Sequence, residues 1–133
     1  MRIIAGKLKG TTLYMPKDKH IRPLKDIVRE SIFNLLTHSN KISLQLEQSN
    51  ILDLYAGTGS FGLECLSRLA NRVCFVENDK NAIEVLKKNI EKLKLKNKIN
   101  IFSSDILIYS KKKILLNLGL TLFFVIHLLK IQI

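Results

Sequence analysis

Tryptophan is absent from this 133-residue sequence, and its only prolines are Pro16 and Pro23. Cysteine is equally scarce, and the spacing of Cys65 and Cys74 fits neither a zinc site nor a CxxC redox pair. Both cysteines lie in apolar stretches, so we expect buried free thiols in a reducing compartment, the cytoplasm. The sequence therefore excludes a disulfide-stabilised scaffold and a cysteine-based metal site.

Acidic residues are also few, with 11 Asp and Glu against 22 Lys and Arg and a net charge of +11. Such an excess favours a polyanionic partner, either a nucleic acid or an anionic membrane surface. The opening residues become charged too early for a signal peptide. The length predicts one domain, residues 1–133, with a core of its own.

The stretch from Asn50 to Asp79 contains the clearest functional pattern. It predicts a buried strand at about 50–54, a glycine turn, a helix at about 60–69 and a second strand at about 72–77. Glycines at such a turn allow the backbone to approach a ligand closely. Glu77 follows Gly57 by 20 residues, where a carboxylate at a strand tip accepts hydrogen bonds from a ribose diol. The pattern indicates a nucleoside-cofactor site.

The identity of the nucleoside depends on the acidic residues. Gly57-x-Gly59-x-x-Gly62 also fits the dinucleotide fingerprint, which keeps an NAD-binding protein open. Asp53 inside the first strand would repel a pyrophosphate but suits an amino-bearing ligand. With Asp105 after a third strand at 99–102, three carboxylates favour S-adenosylmethionine (SAM). The alternatives are a helix-capping or turn role for Asp53 and plain strand-end carboxylates for the others.

The first twenty residues predict a basic β-hairpin. Arg2-Ile3-Ile4-Ala5 and Thr11-Thr12-Leu13-Tyr14 resemble strands, and glycines stand at both ends of their connection. The lysines suit the phosphate backbone of a nucleic acid, where each neutralised phosphate adds salt-dependent affinity. A solvated basic surface is the alternative.

Two further helices are predicted from apolar residues at helical spacing. One follows Ile21-Arg22-Pro23, with Pro23 at an early helical position, and ends near Thr37; a local Arg29–Glu30 pair is the alternative role for those two residues. The other begins at Asp79 as N-cap and ends near Leu93. The lysine-rich outer face of the second is typical of a surface that keeps a protein soluble. The order βαβαβ predicts a Rossmann-like α/β fold with a parallel sheet. Its parts are a hairpin (1–20), a helix and linker (21–48), a core (49–109) and an apolar tail (110–133).

These motifs, taken in this order, resemble the bacterial 16S rRNA guanine-N2 methyltransferases. The opening Arg2-Ile3-Ile4-Ala5-Gly6-Lys7 and then Arg22-Pro23 with Val28-Arg29-Glu30 match two N-terminal motifs of that family. Leu52-Asp53-Leu54-Tyr55-Ala56-Gly57-Thr58-Gly59 resembles its SAM motif, and Phe75-Val76-Glu77 its ribose-binding strand. The resemblance covers residues 2 to about 106.

The resemblance implies a class I SAM-dependent methyltransferase fold, a monomer in the cytoplasm and no membrane partner. It implies 16S rRNA or the small ribosomal subunit as partner and SAM as cofactor. Glu77 would hold the ribose hydroxyls, and Asp105 the adenine amine with Ile106 beside the ring. The implied cofactor-binding residues are Asp53, Tyr55, Ala56, Gly57, Gly59, Glu77, Asn78, Asp105 and Ile106. The implied RNA contacts are Arg2, Lys7, Lys9, Arg22 and Arg29.

The family's catalytic motif, Asp or Asn followed by Pro-Pro and Tyr or Phe, is absent from the sequence. That motif would orient the guanine amine toward the methyl group and stack on the flipped base. We therefore expect slow or no methyl transfer by this chain, with a non-catalytic SAM- or RNA-binding remnant as the alternative function.

The apolar tail after Lys113 has three interpretations. With permitted codons for Leu120 to Ile131, a reading frame shifted by one nucleotide gives Phe-Asp-Ile-Ile-Phe-Cys-Asp-Pro-Pro-Phe-Lys-Asn, so the tail fits a frameshift and an incomplete C-terminal sheet. Slippage in an adenine tract that encodes Lys111-Lys112-Lys113 would explain the frameshift. The nucleotide sequence of the gene tests this hypothesis. The other two are a fourth strand at about 120–126 and a transmembrane helix, for which the tail is short.

Overall fold

The computed structural model describes residues 1–17, 25–39 and 45–105, together with the backbone of 122–125. The elements are α1 (Asp26–His38), β1 (Asn50–Leu54), α2 (Ser60–Ser67), β2 (Arg72–Glu77), α3 (Lys80–Lys92), a 3-10 turn (Lys96–Lys98), β3 (Ile99–Ser103) and β4 (Leu122–Val125). No helix in the described ranges combines the length and apolarity needed to cross a membrane.

The strands form one parallel sheet with the order β3-β2-β1-β4. Asp53 on β1 lies opposite Phe75 on β2, and Glu77 at the end of β2 lies opposite Ser103 on β3. Parallel strands joined through helices place all their carboxyl ends at one edge of the sheet. The predicted parallel α/β sheet is confirmed, and the backbone of 122–125 pairs with β1 as predicted for a fourth strand.

Helix α2 is buried on all sides, although its sequence predicted only one face against the sheet. Its inner face packs on the sheet, and Phe61 stacks on Phe33 of α1 with ring centroids 4.8 Å apart. Its outer face is covered by the N-terminal segment, defined here as residues 1–17. The amide of Lys7 donates to the carbonyl of Ser67 at 2.8 Å. The segment therefore completes the core above α2.

The N-terminal segment turns back on itself, but with less pairing than the predicted hairpin. Its antiparallel contact is a single bridge between Arg2 and Thr12. The amide of Ile3 donates to Thr11 O at 2.9 Å, and that of Leu13 donates to Met1 O at 3.0 Å. The buried side chains of Ile3 and Leu13 anchor it in the core, so its shape depends on packing against the helices more than on strand pairing.

Helix α1 buries a different face from the one its apolar spacing indicates. Ile27 and Leu35 are 71% and 64% exposed, whereas Phe33, Leu36 and Arg29 are buried. The helix is rotated so that Arg29 reaches the interior beside α2. The predicted start near Pro23 lies outside the described ranges, in which the helix begins at Asp26 with Lys25 as its N-cap.

Candidate functional site

A left-handed backbone defines the loop between β1 and α2, residues 55–59, called the glycine loop here. Tyr55, Gly57 and Gly59 have φ angles of 57°, 57° and 82°. The loop is tied to the sheet by Ala56, whose amide donates to Val76 O at 3.2 Å. A Cβ added to Gly57 would meet no atom of the described residues within 4 Å. Gly57 therefore presents bare backbone to open space, where a ligand can lie against it.

The other two glycines of the pattern serve packing. A Cβ on Gly59 would lie 2.2 Å from Leu86 Cδ1, and one on Gly62 would lie 2.3 Å from Phe75 Cε1. Gly59 is also the N-cap of α2, in the left-handed conformation. Both glycines allow α2 to start close to the sheet and to α3, which positions the loop above the ends of the strands.

Glu77 holds the glycine loop from the tip of β2. Its Oε2 accepts the amide of Gly57 at 2.7 Å, and its Oε1 accepts the amides of Asn78 and Asp79 at 2.9 and 3.0 Å. The residue is buried. A carboxylate has about four acceptor positions, and these contacts use three. Within ranges 1–17, 25–39 and 45–105, no further donor uses the remaining position on Oε2, and Asn78 beside it is exposed.

Asp53 acts as a cap on α2 from within the sheet. It is only 2% exposed, and its Oδ2 accepts the amide of Gly62, in the first turn of α2, at 3.0 Å. Burial raises the pKa of Asp53 to about 7; the Gly62 hydrogen bond opposes the shift and the charge of Glu77 adds to it. The helix-capping alternative is thus the contact that the structure describes, and Asp53 supports the loop from below.

The third predicted carboxylate lies at the same edge of the sheet. The amide of Ser104 donates to Glu77 O at 3.1 Å, which places the start of the loop after β3 against the tip of β2. Asp105 follows directly and is exposed. The edge thus carries the glycine loop, Glu77 and Asp105 together, while the predicted adenine neighbour Ile106 lies outside the described residues.

The five predicted RNA contacts have three different outcomes. Arg2, Lys7 and Lys9 are exposed on the N-terminal segment, and Arg22 lies outside the described residues. Arg29 was predicted wrongly, both as an RNA contact and as a partner of Glu30, because its side chain is fully buried.

Arg29 belongs to a buried charged cluster that joins three parts of the chain. Its Nη2 lies 3.1 Å from Asp26 Oδ1 and also donates to Arg2 O, and its Nε lies 3.7 Å from Glu64 Oε2. Desolvation lowers the pKa of Arg29, and the charges of Glu64 and Asp26 oppose that shift. The cluster explains why α1 turns this residue inward.

Glu64 is the centre of that cluster, a role that was not predicted from the sequence. Its side chain is fully buried on α2, where its two oxygens accept the amides of Ile4 and Ala5 at 2.8 and 2.9 Å. Arg68 donates to it at 3.0 Å. The sequence feature that indicates this role is a single carboxylate inside the apolar run 61–66. A charge buried in such a run requires a partner.

Asn89 on α3 is the second missed residue. Its fully buried amide accepts from Tyr14 N at 2.7 Å and donates to Tyr14 O and Thr58 O at 3.2 Å each. One side chain thus links the N-terminal segment to the glycine loop. The sequence indicates this role in one way: Asn89 is a polar residue within the apolar stripe of α3, between Leu86 and Leu93.

No cluster of His, Cys, Asp and Glu suited to a metal ion occurs in the described part of the chain. Cys65 and Cys74 are buried free thiols there, as predicted, and burial raises the pKa of Cys65, with Asp53 and Glu64 adding to the shift. The polar chemistry of this edge therefore comes from backbone amides and carboxylates.

The parallel sheet, with the glycine loop and strand-end carboxylates at one edge, is the Rossmann-like fold of class I SAM-dependent methyltransferases. Two solved structures share it. The Escherichia coli protein yhhF superposes with a TM-score of 0.69 and 31% identity over 82% of this chain and 55% of its own. The Haemophilus influenzae protein HI0767 does so with a TM-score of 0.60 and 36% identity over 84% and 55%. Their descriptions contain the words methyltransferase and methylase.

The chain belongs to the family described as Conserved hypothetical protein 95, whose model matches residues 1–119. Curated relatives include proteins named Ribosomal RNA small subunit methyltransferase D. The one from H. influenzae is 43% identical over 71% of this chain and 46% of its own length. The one from E. coli is 37% identical over 73% and 46%. The chain spans about half the length of the curated relatives it matches.

Proposed function

We propose that this chain forms the cofactor- and RNA-binding half of an rRNA methyltransferase. In that activity a methyl group moves from SAM to the N2 amine of a guanine in 16S rRNA of the small ribosomal subunit, in the cytoplasm and with the protein as a monomer. The names of the relatives support the reaction class. The observation that carries the proposal is Gly57, whose bare backbone faces open space beside a carboxylate that already holds the loop.

The residues at this edge fit SAM. The backbone of Gly57 would lie against the cofactor. Glu77 would accept hydrogen bonds from the ribose hydroxyls, either at its remaining acceptor position or in place of its hydrogen bond from the Gly57 amide. Asn78 would lie beside the ribose, and Asp105 would accept a hydrogen bond from the adenine amine. The shape of the loop would depend on Tyr55, Ala56 and Gly59. When bound, SAM supplies an electrophilic methyl group on its sulfonium.

Asp53 favours SAM over a dinucleotide. A pyrophosphate binds through free amides and the positive dipole at a helix N-terminus. Here the amide of Gly62, in the first turn of α2, is already used by the Asp53 carboxyl. Because this amide is occupied, it cannot bind a pyrophosphate, whereas the cationic amino end of SAM does not need it.

The guanine that accepts the methyl group must be oriented by a catalytic motif that this sequence does not contain. A guanine amine is a weak nucleophile, so an acidic or amide side chain and a proline carbonyl would have to orient it. With only Pro16 and Pro23 present, we propose cofactor and RNA binding for this chain and methyl transfer for a chain that also carries Asp-Pro-Pro-Phe. A non-catalytic binding protein is the second candidate function.

Calorimetric titration with SAM and with NAD is the direct test. We expect binding of SAM and none of NAD, and saturable NAD binding would contradict the proposal. Labelled SAM and under-methylated small subunits then test the reaction, with this chain beside a version in which the tail carries Asp-Pro-Pro-Phe after β4. We expect transfer only with the second. SAM binding without transfer by either chain would favour the non-catalytic candidate.

A further inference from the structure

We call the edge of the sheet that carries the glycine loop, Glu77 and Asp105 the cofactor edge. A groove lies away from it, between the C-terminal half of α3 and the outer side of β3. Its volume is about 770 Å³, within the range of roughly 300–1,000 Å³ typical of sites for small ligands. Its apolar part is formed by Ile90, Ile99 and Ile101. Its polar part comprises three lysines, one glutamate and two asparagines: Lys87, Lys94, Lys96, Glu91, Asn97 and Asn100. In the described sheet β3 is the outermost strand on this side, so the groove runs beside an open strand edge.

The groove lies within a strongly basic surface. Six lysines fall between residues 87 and 98, and Glu91 is the only acidic residue in that interval. All six are exposed: Lys87, Lys88, Lys92, Lys94, Lys96 and Lys98. Simple solubility needs charge but does not need it gathered around a groove with an apolar floor.

The N-terminal segment also packs on α3, on the flank of the helix opposite the groove. Lys92 Nζ donates to Thr12 O at 2.6 Å and lies 4.9 Å from the centre of the Tyr14 ring. The segment that carries exposed Lys7 and Lys9 therefore packs directly on the helix that carries the lysines of the groove. A long polyanion could contact both, whereas a small anion could contact only one.

We propose that the groove is a second RNA-binding surface, which takes a single-stranded nucleotide of the rRNA substrate with its phosphates toward Lys87 and Lys96. The isoleucine floor provides an apolar surface for a base, and the lysines provide the charge for the flanking phosphates. The inference rests on the proposed function, because it assumes an RNA partner. An acidic peptide pairing with the edge of β3 is the competing occupant. The exposed lysines on both flanks of α3 favour RNA, since they extend beyond a single strand edge.

The test compares two double variants of equal charge. Lys87→Gln with Lys96→Gln removes two charges from the groove, and Lys25→Gln with Arg72→Gln removes two exposed charges elsewhere, so both have a net charge of +9 by subtraction from +11. Fluorescence anisotropy measures the affinity of each for a labelled single-stranded 16S rRNA fragment between 50 and 200 mM salt. Titration with S-adenosylhomocysteine checks that the cofactor edge is intact.

We expect the groove variant to show a salt slope about 1.4 shallower than the unchanged protein, which is the loss of two phosphate contacts to a single strand. Across this salt range the difference amounts to about sevenfold in affinity. The control should keep the original slope. Equal slopes for the two variants would overturn the groove proposal while leaving the proposed function in place.

Two other results are also decisive. If the unchanged chain binds S-adenosylhomocysteine but not the RNA, the RNA part of the proposed function fails and the groove proposal fails with it. If a labelled poly-glutamate peptide binds in a manner that depends on Lys87 and Lys96 while RNA affinity is unaffected, the peptide is the occupant and the RNA proposal is wrong.

Discussion

At the scale of single residues, the three glycines of one motif have different functions. Gly57 has open space around it, while Gly59 and Gly62 contact Leu86 and Phe75 closely. The fingerprint alone treats the three glycines as equivalent. Their division between ligand approach and helix packing follows from residues of β2 and α3 that the motif does not include.

Replacing two of these glycines by alanine should separate binding from stability. In Gly57→Ala the methyl group enters open space at a positive φ, so we expect a stability loss of about 1–2 kcal/mol and a loss of SAM affinity of at least tenfold. Gly59→Ala adds a clash with Leu86 and should destabilise the fold by more than about 3 kcal/mol. Urea unfolding and calorimetric titration measure the two effects. Normal SAM affinity in folded Gly57→Ala would place the cofactor elsewhere.

Asp53 should make stability depend on pH. Its folded-state pKa is raised to about 7 from an ordinary 3.8, so the folded state keeps a proton that the unfolded chain releases. The free energy of unfolding should therefore fall as the pH rises from about 4 to about 7, by as much as about 1.4 kcal/mol per pH unit. Above the folded-state pKa this contribution is constant.

Asp53→Asn should remove this slope, since the amide does not titrate. Asp79→Asn is the matched control: Asp79 caps α3 by accepting the amide of Ala82 at 2.8 Å, and asparagine caps a helix equally well. Urea unfolding at several pH values provides the comparison. A wild-type slope in Asp53→Asn would assign the pH dependence to another group.

At the scale of secondary-structure elements, the N-terminal segment depends on α2 for its position. Glu64 accepts two of its amides, and Ser67 contributes both a backbone carbonyl and a side-chain oxygen, which accepts the amide of Leu8 at 3.0 Å. A Cβ on Gly6 would lie 2.0 Å from Ser67 O. The segment is thus fitted to one turn of α2.

Glu64→Gln should loosen this attachment. Of the acidic partners in the part of the chain that the structure describes, the substitution leaves the buried guanidinium of Arg29 only Asp26. Breaking a buried ion pair costs about 3–5 kcal/mol. Urea unfolding should show a loss near the lower end of that range, because glutamine can still accept one amide. Glu84→Gln on the exposed face of α3 should stay within about 0.5 kcal/mol of the unchanged protein. Equal stability of both variants would mean that the cluster contributes little.

At the scale of the whole molecule, the sequence predicted the sheet well and its N-terminal cover poorly. The bounds of β1 and β2 agree with the predicted strands, because a short apolar run between turn residues is a local signal. Arg29, Glu64 and Asn89 depend on partners up to 75 positions away in sequence, which periodicity cannot indicate. Of the candidate site, Gly57 and Glu77 were found by spacing, and the capping role of Asp53 required the position of α2.

The long sequence separation between the N-terminal segment and its partners also sets an order of events during synthesis. The first 14 residues leave the ribosome well before α3, yet Tyr14 makes both of its backbone hydrogen bonds with Asn89, 75 residues later. Contacts this distant form only after a long loop has closed. A newly made chain can therefore dock residues 4–8 once α2 has emerged, whereas Tyr14 stays undocked until α3 follows. The closure of the N-terminal cover is thus a late step in its folding.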